Sequence, residues 1–285
     1  MAIKNIASFI TELQKISRRG DFELFFRGHN DIDYLLKPSI YRTENLIKNE
    51  NIIFKEFILR TPSDFLNEKS ALEKLVKMQH YGLPTRLLDI TTNPLVSLYF
   101  ACLNKRKDGN NGNVIVFKIP NSDIKYYDSD TVSILSNISK RAFEFNIGDL
   151  NRKESYTYND VKLFNEQGDI PYLLHEIKEE KSYFQSIICP TDLERVVAVK
   201  VKQSNSRIIK QSGAFLLFGI NNSKTNPANI PNEWIVNLDS KKVDFEIDND
   251  SKNNILKELN ILGISEATLF PELENQAQHL KRIYS

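Results

Sequence analysis

The sequence predicts an α+β fold, in which helices dominate the first half of the 285 residues, strands follow, and helices close the chain. Apolar residues within 4–17 recur at the spacing of one helix face. Runs rich in β-branched and aromatic residues follow residue 195, as expected of strands. Helical spacing returns at 251–262, before Gly263, and again from Pro271 to about Tyr284.

The segment before residue 104 is predicted to be mainly helical. Asn93 is expected to cap a helix that begins at Pro94 and runs through Leu103, because an Asn side chain can accept from the free N–H groups of a first turn. The other predicted elements here are helices at 4–17, 44–60 and 70–79, a buried strand at 22–27, a loop at 31–43 and a short apolar segment at 87–90.

The rest of the chain is predicted to supply most of the strands. The polar segment 121–185 is interpreted as helices that form an insertion or a lid. No internal repeat and no clear linker interrupts the chain, so residues 1–285 are expected to form one domain. Lys105 to Asn113 is expected to be an exposed loop, and strands are expected at 114–119, 195–202, 214–220, 234–238 and 243–247.

Composition narrows the functional classes. Lys+Arg of 38 against Asp+Glu of 37 gives a net charge of +1, so nucleic-acid binding would depend on a local basic patch such as Lys200 to Lys210. The four histidines and two cysteines lack metal-ligand spacing, so no metal is expected. The N-terminus lacks a signal-peptide layout and no apolar run is long enough to span a membrane, which favours a cytoplasmic protein without membrane contact. Dinucleotide-binding, phosphate-loop and serine-hydrolase motifs are absent from the sequence.

The segment Met78 to Cys102 concentrates polar residues beside apolar ones. An unpaired buried polar group costs about 1–3 kcal/mol, so these side chains must satisfy one another or face a ligand. Either outcome indicates a specified site. The polar residues concerned are Gln79, His80, Tyr81, Thr85, Arg86, Asp89, Thr91 and Thr92.

This pattern resembles the FRG domain family, which is named for a Phe-Arg-Gly motif that is Phe26-Arg27-Gly28 here. The long block Gln79 to Asp89 is the most specific part of the resemblance. The chain is therefore expected to be a single FRG-type domain. The resemblance also covers Pro38-Ser39, Tyr41-Arg42, Pro94-Leu95, Tyr99 to Ala101, Arg207, Gln211, Gly213 to Phe215 and Thr268 to Leu273.

The arrangement also resembles the ADP-ribosyltransferase fold, which implies a mixed or antiparallel sheet with helices packed around it. Transferases of that fold carry an Arg at the end of an early strand, then a strand with Ser or Thr, then a later strand with Glu or Gln. Arg27, Asp89 to Thr92 and Gln211 to Phe215 resemble these three elements. The Glu-x-Glu or Gln-x-Glu pair of arginine-directed members is absent at the third.

The resemblance implies NAD as the co-substrate, with Arg27, Asp89 and Gln211 as catalytic residues. Arg27 suits a pyrophosphate because its planar fork makes paired hydrogen bonds, or it pairs with Asp89 instead. Gly28 is expected to let the cofactor approach closely. The further cofactor-binding candidates are His80, Tyr81, Thr85, Arg86 and Thr91.

Alternatives accompany several of these roles. Arg86 is either a second anion anchor or an ion-pair partner of Asp89. His80 is more often a helix cap than a ligand. Gln211 either contacts a ribose hydroxyl or caps an element. Glu176, Glu179, Glu180 and Glu194 compete with Asp89 as the acid.

The function that follows is an NAD-dependent ADP-ribosyltransferase acting on a macromolecule, with RNA or DNA favoured over protein. A toxin or defence role, and hence a neutralising antitoxin partner, follow from the resemblance alone. The alternatives are an NAD glycohydrolase and a binding module that recognises a nucleotide without turnover.

Overall fold

A computed structural model describes residues 2–16, 20–103, 109–148, 153, 155–238, 241–242 and 244–284. The strands are β1 Phe22–His29, β2 Leu87–Thr91, β3 Gly112–Pro120, β4 Ile124–Tyr126, β5 Val196–Lys200, β6 Gly213–Phe218, β7 Ile220–Asn221, β8 Ser223–Pro227, β9 Asn237–Leu238, β10 Lys241–Lys242 and β11 Asp244–Ile247.

The helices are α1 Ile6–Gln14, α2 Glu44–Lys48, α3 Glu50–Arg60, α4 Ala71–His80, α5 Pro94–Cys102, α6 Asp130–Asn137, α7 Tyr158–Asn165, α8 Ile170–Glu180, α9 Pro190–Leu193, α10 Ser206–Lys210, α11 Lys252–Ile261, α12 Glu266–Leu269 and α13 Leu273–Tyr284. Short 3₁₀ turns lie at Ser39–Arg42, Pro62–Phe65, Asn121–Asp123, Ile138–Lys140, Asn232–Trp234 and Asn249–Ser251. Within the described ranges, none of these helices has the length and apolar character needed to cross a membrane.

Seven strands form one mixed sheet in the order β11-β3-β1-β2-β6-β5-β4. Neighbouring strands are antiparallel except β4 and β5, which are parallel. The predicted α+β class, with helices packed around a mixed sheet and a helical tail, is confirmed at this level.

The sheet is nearly split between β1 and β2. These two strands pair at a single position, Phe26 opposite Thr91, whereas β1 pairs with β3 along its whole length. Beyond this position the side chain of Arg27 bridges the two strands: its Nη1 donates a hydrogen bond to the main-chain oxygen of Asp89 at 2.6 Å. A polar gap therefore opens in the middle of the sheet.

Two groups of helices cover the same sheet face on either side of this gap. Helices α1, α5 and α11 pack with Phe26, Val114 and Val116 of β1 and β3. Helices α4, α6 and α8 pack with Leu87 and Leu217 of β2 and β6. Because side chains alternate along a strand, these strand residues share one face, and the space between the two helix groups lies over the gap.

The segment 121–185, interpreted as an insertion or a lid, contributes directly to the core. Its strand β4 forms one edge of the sheet beside β5. Leu135 of α6 and Ile177 of α8 are fully buried in the same hydrophobic cluster as Leu75 of α4 and Leu217 of β6. This segment is therefore integral to the fold.

Helix α5 begins as predicted: Asn93 Oδ1 accepts from the N–H of Leu95 at 3.0 Å, with Pro94 as the first helical residue. Other boundaries differ from prediction. The helix expected at 44–60 is divided at Asn49, and Trp234 lies in a 3₁₀ turn although it was expected in a strand. Residues 105–108 of the loop expected at Lys105 to Asn113, and Val243 of the last expected strand, lie outside the described residues. Gly112 and Asn113, expected in that loop, already belong to β3.

Two glycines let α5 lie directly on the sheet. A Cβ at Gly28 would stand 1.9 Å from the main-chain oxygen of Ser97, and a Cβ at Gly112 would stand 2.3 Å from that of Ala101. No side chain fits at such distances, so the glycine of the Phe-Arg-Gly motif is required for helix packing. The role of Gly28 toward a cofactor stays a prediction, because Gly28 also lines the cleft described below.

Candidate functional site

A cleft of about 200 Å³ occupies the gap between β1 and β2. Its lining comes from strands β1, β2 and β6, from the last part of α4, and from helices α5 and α10, so residues distant in sequence meet there. The lining residues are Phe26, Arg27, Gly28, Val76, Gln79, His80, Asp89, Ile90, Thr91, Val96, Ser97, Phe100, Arg207, Ile208, Gln211, Gly213, Ala214 and Phe215.

Arg27 is held in place from two sides. Its Nε donates to Nε2 of His29 at 2.9 Å. Its Nη1 donates to the main-chain oxygen of Asp89 and stands 3.9 Å from the carboxylate of the same residue. Burial lowers the pKa of Arg27, the Asp89 carboxylate opposes this, and the nearby cation Arg42 adds to the lowering. A partly buried guanidinium near a second cation gains from an added anion.

His29 does not line the cleft but supports Arg27, which does. Burial, followed by the charges of Arg27 and Arg42, lowers its pKa to about 3. The ring is therefore neutral at physiological pH. It accepts the Arg27 hydrogen bond through Nε2, which assigns the ring proton to Nδ1. A cationic histidine could not accept this bond.

Gln79, near the end of α4, connects this helix to β2 through hydrogen bonds. Its Nε2 donates to the Asp89 carboxylate at 2.9 Å and to the main-chain oxygen of Leu87 at 3.3 Å. Its Oε1 accepts from the hydroxyl of Thr85. Thr85 is buried and acts on this amide, so the structure places it behind the cleft wall and not in contact with the cleft.

Asp89 is the one carboxylate among the described residues that line the cleft. Its side chain is 64% exposed, although it lies in the central strand β2. The competing acids do not line the cleft: Glu176 pairs with Arg141 at 3.1 Å, and Glu179 lies beside His175 at 3.6 Å. Glu180 accepts from the N–H of Ala71 at 2.6 Å, and Glu194 is likewise absent from the lining.

Thr91 and Gln211 meet at the floor of the cleft. The Thr91 hydroxyl donates to the main-chain oxygen of Gln211 at 2.7 Å and accepts from the N–H of Asn93 at 3.0 Å. The next residue, Ser212, has a φ of +47°, which a non-glycine residue seldom adopts and which is typical of functional sites. This turn fixes Gln211 where α10 meets β6.

The segment 269–272 holds three cleft side chains from outside. Gln211 Nε2 donates to the oxygen of Leu269 at 3.1 Å. The guanidinium carbon of Arg207 lies 4.7 Å from the ring centre of Phe270. The Nε2 of His80 lies 3.7 Å from Oε1 of Glu272. Arg207 and Thr268 to Leu273 are both part of the resemblance to the FRG family, but no signal in the sequence indicated that they contact each other.

Arg86 is placed away from the cleft, and both of its expected roles are corrected. It is fully buried, and its Nε donates to Oε1 of Glu50 at 2.9 Å. Lys224 Nζ lies 3.1 Å from the same carboxylate, and Nη1 of Arg86 donates to the oxygen of Phe218 at 3.1 Å. Burial alone would raise the pKa of Glu50, and the two cations outweigh it and hold that pKa below its usual value. Arg86 is thus committed to a buried ion cluster.

Tyr81 lies beyond the cleft rim with 64% of its surface exposed. Its ring packs edge-on against His80, with 4.9 Å between ring centres. The predicted basic stretch Lys200 to Lys210 is partly neutralised, because Lys200 pairs with Glu23 at 2.6 Å and Lys202 with Glu73 at 2.8 Å.

The cleft combines two guanidinium groups, one carboxylate, two side-chain amides and an apolar wall that includes Phe26, Phe100 and Phe215. This set suits an anionic ligand with an aromatic part. Within the described ranges, no group of three or more His, Cys, Asp or Glu side chains is arranged to hold a metal ion.

Comparison with known protein families supports the resemblance seen in the sequence, and it does so over the segment that supplies most of the cleft lining. No curated protein and no solved structure matches the chain. Residues 23–110 match the model of the FRG domain. This segment of the chain contains β1 from its second residue onward, together with α4, β2 and α5. Residues 23–110 are therefore identified as an FRG domain.

Proposed function

We propose that this protein, of which residues 23–110 match the FRG domain, is an NAD-dependent ADP-ribosyltransferase that modifies a nucleic acid. The observation that carries the proposal is that Arg27, Asp89 and Gln211, which come from three separate segments, line one cleft. The order of an early strand with Arg, a strand with Thr leading into a helix, and a later Gln before a strand resembles the order in ADP-ribosyltransferases.

The charge of the cleft supports a pyrophosphate ligand. The cleft lining holds two guanidinium groups, those of Arg27 and Arg207, and one carboxylate, that of Asp89. Arg207 stacks on Phe270 and has no ion-pair partner among the described residues. Planar guanidinium groups bind phosphate oxygens in pairs. The cleft volume of about 200 Å³ is below the roughly 300–1,000 Å³ that encloses a drug-sized ligand, so we expect it to take the nicotinamide end of the dinucleotide.

The proposed reaction breaks the bond between ribose C1′ and the nicotinamide nitrogen. Positive charge develops on the ribose as this bond lengthens, and the Asp89 carboxylate is positioned to stabilise it. Gln211 and Thr91 would orient the ribose hydroxyl groups from the cleft floor. Phe26, Phe100 and Phe215 supply apolar surface for the nicotinamide ring.

A nucleic-acid acceptor is favoured because the Glu of arginine-directed protein modification is absent beside Gln211. The resemblance to ADP-ribosyltransferases also supports a toxin or defence role in the cytoplasm, and such a role implies a protein partner that neutralises the activity. The high exposure of Asp89 favours a second candidate, an NAD glycohydrolase, because water reaches the carboxylate readily.

The test uses NAD labelled in the ADP-ribose part, incubated with the full chain and separate pools of RNA, DNA and protein. Label in RNA or DNA is the expected result. Label in protein alone would overturn the acceptor class, and free ADP-ribose without labelled polymer would indicate the glycohydrolase. Intact NAD would indicate a binding module and overturn both enzyme proposals.

The matched control for this test is a pair of arginine variants. Arg27→Ala removes the guanidinium that bridges β1 and β2, and Arg60→Ala removes an exposed one that pairs with Glu56 at 2.9 Å. We expect the first to lose NAD turnover and the second to retain it. Circular dichroism and thermal unfolding establish that both variants are folded.

A further inference from the structure

A second, larger groove of about 590 Å³ adjoins the cleft. Val76 and His80 line both, so the two spaces meet at the end of α4. The exposed ring of Tyr81 and the partly exposed ring of Tyr127 stand in the groove wall. An acceptor that lies in this groove reaches the cleft beside His80.

The charges of the groove are nearly balanced. Lys77 pairs with Glu68 at 3.0 Å and Lys202 with Glu73 at 2.8 Å. A nucleic-acid backbone gains little from paired lysines, whereas an unpaired base can stack on an exposed tyrosine ring. The groove thus suits an unpaired base better than a duplex.

His80 and Glu272 form a pair at the junction of the two spaces. The side chains are 15% and 24% exposed, and Nε2 lies 3.7 Å from Oε1. Oε2 of Glu272 accepts from Asn275 at 3.0 Å, whereas Oε1 is shielded from solvent and has no hydrogen bond with the described residues. A small rotation of the ring lets Nε2–H donate to Oε1, which leaves the lone pair of Nδ1 to accept a proton.

The surroundings of His80 keep the ring neutral. Burial lowers its pKa first, Arg207 and Lys77 lower it further, and Glu272 opposes them. The ring of Tyr81 covers one side without adding charge. A neutral imidazole that a carboxylate orients is the arrangement required of a general base.

We infer that His80, oriented by Glu272, is the general base that removes the proton from the acceptor base in the groove. This inference rests on the proposed function. The C1′–N bond of NAD breaks and its electron pair leaves with nicotinamide. A lone pair of the acceptor nitrogen or oxygen forms the new bond to C1′, and the acceptor proton moves to Nδ1 of His80.

The test measures transfer from labelled NAD to single-stranded and duplex oligonucleotides for wild type, His80→Gln and Glu272→Gln. General acid–base catalysis contributes about 100- to 10,000-fold, so we expect His80→Gln to lower the transfer rate at saturating NAD by about 100-fold or more. Glu272→Gln should lower it by about 10-fold. The KM for NAD should change less than about threefold in both, and single strands should be labelled in preference to duplexes.

A second His–Glu pair provides the matched control. His279 Nδ1 lies 3.3 Å from Glu266, and neither residue lines the cleft. His279→Gln should transfer at the wild-type rate. The conservative Glu272→Asp tests orientation as well, because it retains the carboxylate and should recover part of the rate lost in Glu272→Gln.

The outcomes separate this inference from the proposed function. Wild-type protein that leaves NAD intact would overturn both. Wild-type transfer together with an unchanged rate in folded His80→Gln, or a raised KM alone, would overturn the role of His80 and leave the transferase intact.

Discussion

The Arg27 guanidinium donates to the main-chain oxygen of Asp89 at 2.6 Å and stands 3.9 Å from the same residue's carboxylate. One side chain thus takes the place of strand pairing between β1 and β2 beyond Phe26 and Thr91. The same residue keeps the sheet connected and places positive charge in the cleft. Arg27 is expected to matter for stability and for ligand binding at once.

Arg27→Lys tests the need for the planar fork. An ammonium cannot reproduce both the bond to His29 and the bond to Asp89 while also meeting a phosphate. We expect the dissociation constant for NAD to rise on the order of 10- to 100-fold, in line with the loss of a charged hydrogen bond. Titration calorimetry measures this, with Arg60→Lys as the surface control. Unchanged affinity would refute the pyrophosphate role.

Asp89→Asn separates binding from turnover. The main-chain oxygen that accepts from Arg27 is retained, and only the carboxylate charge is removed. We expect NAD affinity to change less than about threefold and turnover to fall by roughly 100-fold, because the carboxylate stabilises charge that develops only in the transition state. Steady-state kinetics gives both values. Full activity of the variant would exclude Asp89 as the acid.

Glu50→Gln tests the buried ion cluster. The change leaves Arg86 and Lys224 without their shared carboxylate in a buried site. Removing one partner of a buried pair costs about 3–5 kcal/mol, and we expect that loss in the free energy of unfolding. Glu56→Gln breaks an exposed pair with Arg60 and should cost less than about 1 kcal/mol. If urea denaturation gave similar losses in the free energy of unfolding for Glu50→Gln and Glu56→Gln, the structural role of Arg86 would be contradicted.

Gly28→Ala tests the packing of α5. The new Cβ would lie 1.9 Å from the Ser97 oxygen, so the helix must move. We expect a loss of at least about 2 kcal/mol in the free energy of unfolding. Gly213→Ala is the control, because its nearest contact is 3.5 Å, and it should change stability by less than about 1 kcal/mol. A tolerated Gly28→Ala would show that the packing of α5 does not require a glycine at this position.

The neutral His29 predicts a pH dependence of stability. Its pKa falls from 6.5 to about 3 on folding, so between these values the unfolded state binds one more proton than the folded state. Stability from this residue is full above pH 6.5 and is lost as the pH falls, at up to about 1.4 kcal/mol per pH unit. Urea denaturation at pH 7.5 and 5.5 measures the slope.

His29→Gln should remove this share of the slope, because an amide oxygen can accept from Arg27 without titrating. His175→Gln, at an exposed position, should leave the slope as in wild type. Equal slopes in wild type and His29→Gln would show that His29 is not held neutral.

Local signals in the sequence predicted local structure well. Asn93 and Pro94 specify the start of α5 through a hydrogen bond within the first turn, and Gly263 ends α11 with a φ of +78°. The resemblance to known families predicted that Arg27, Asp89 and Gln211 share one site, and all three line the cleft. Such features depend on neighbouring residues or on a motif.

Partners distant in sequence were not predictable in this way. Arg86 has Asp89 three residues away, yet it pairs with Glu50, a carboxylate that it shares with Lys224 and that tertiary packing brings to both cations. The ring nitrogen of His29 and the amide of Gln79 gain their roles only from the split between β1 and β2. Local sequence patterns carry no information about these contacts, because each contact depends on how distant segments pack together.

The contacts of the segment 269–272 bear on the order in which the cleft forms during synthesis. Arg27, Asp89 and Gln211 emerge from the ribosome before Leu269, Phe270 and Glu272, on which Gln211, Arg207 and His80 rest. A nascent chain that has not reached residue 272 holds every cleft-lining residue without the contacts that fix three of them. Each newly made molecule therefore completes its cleft only after the segment 269–272 has been synthesised and has packed against these three side chains.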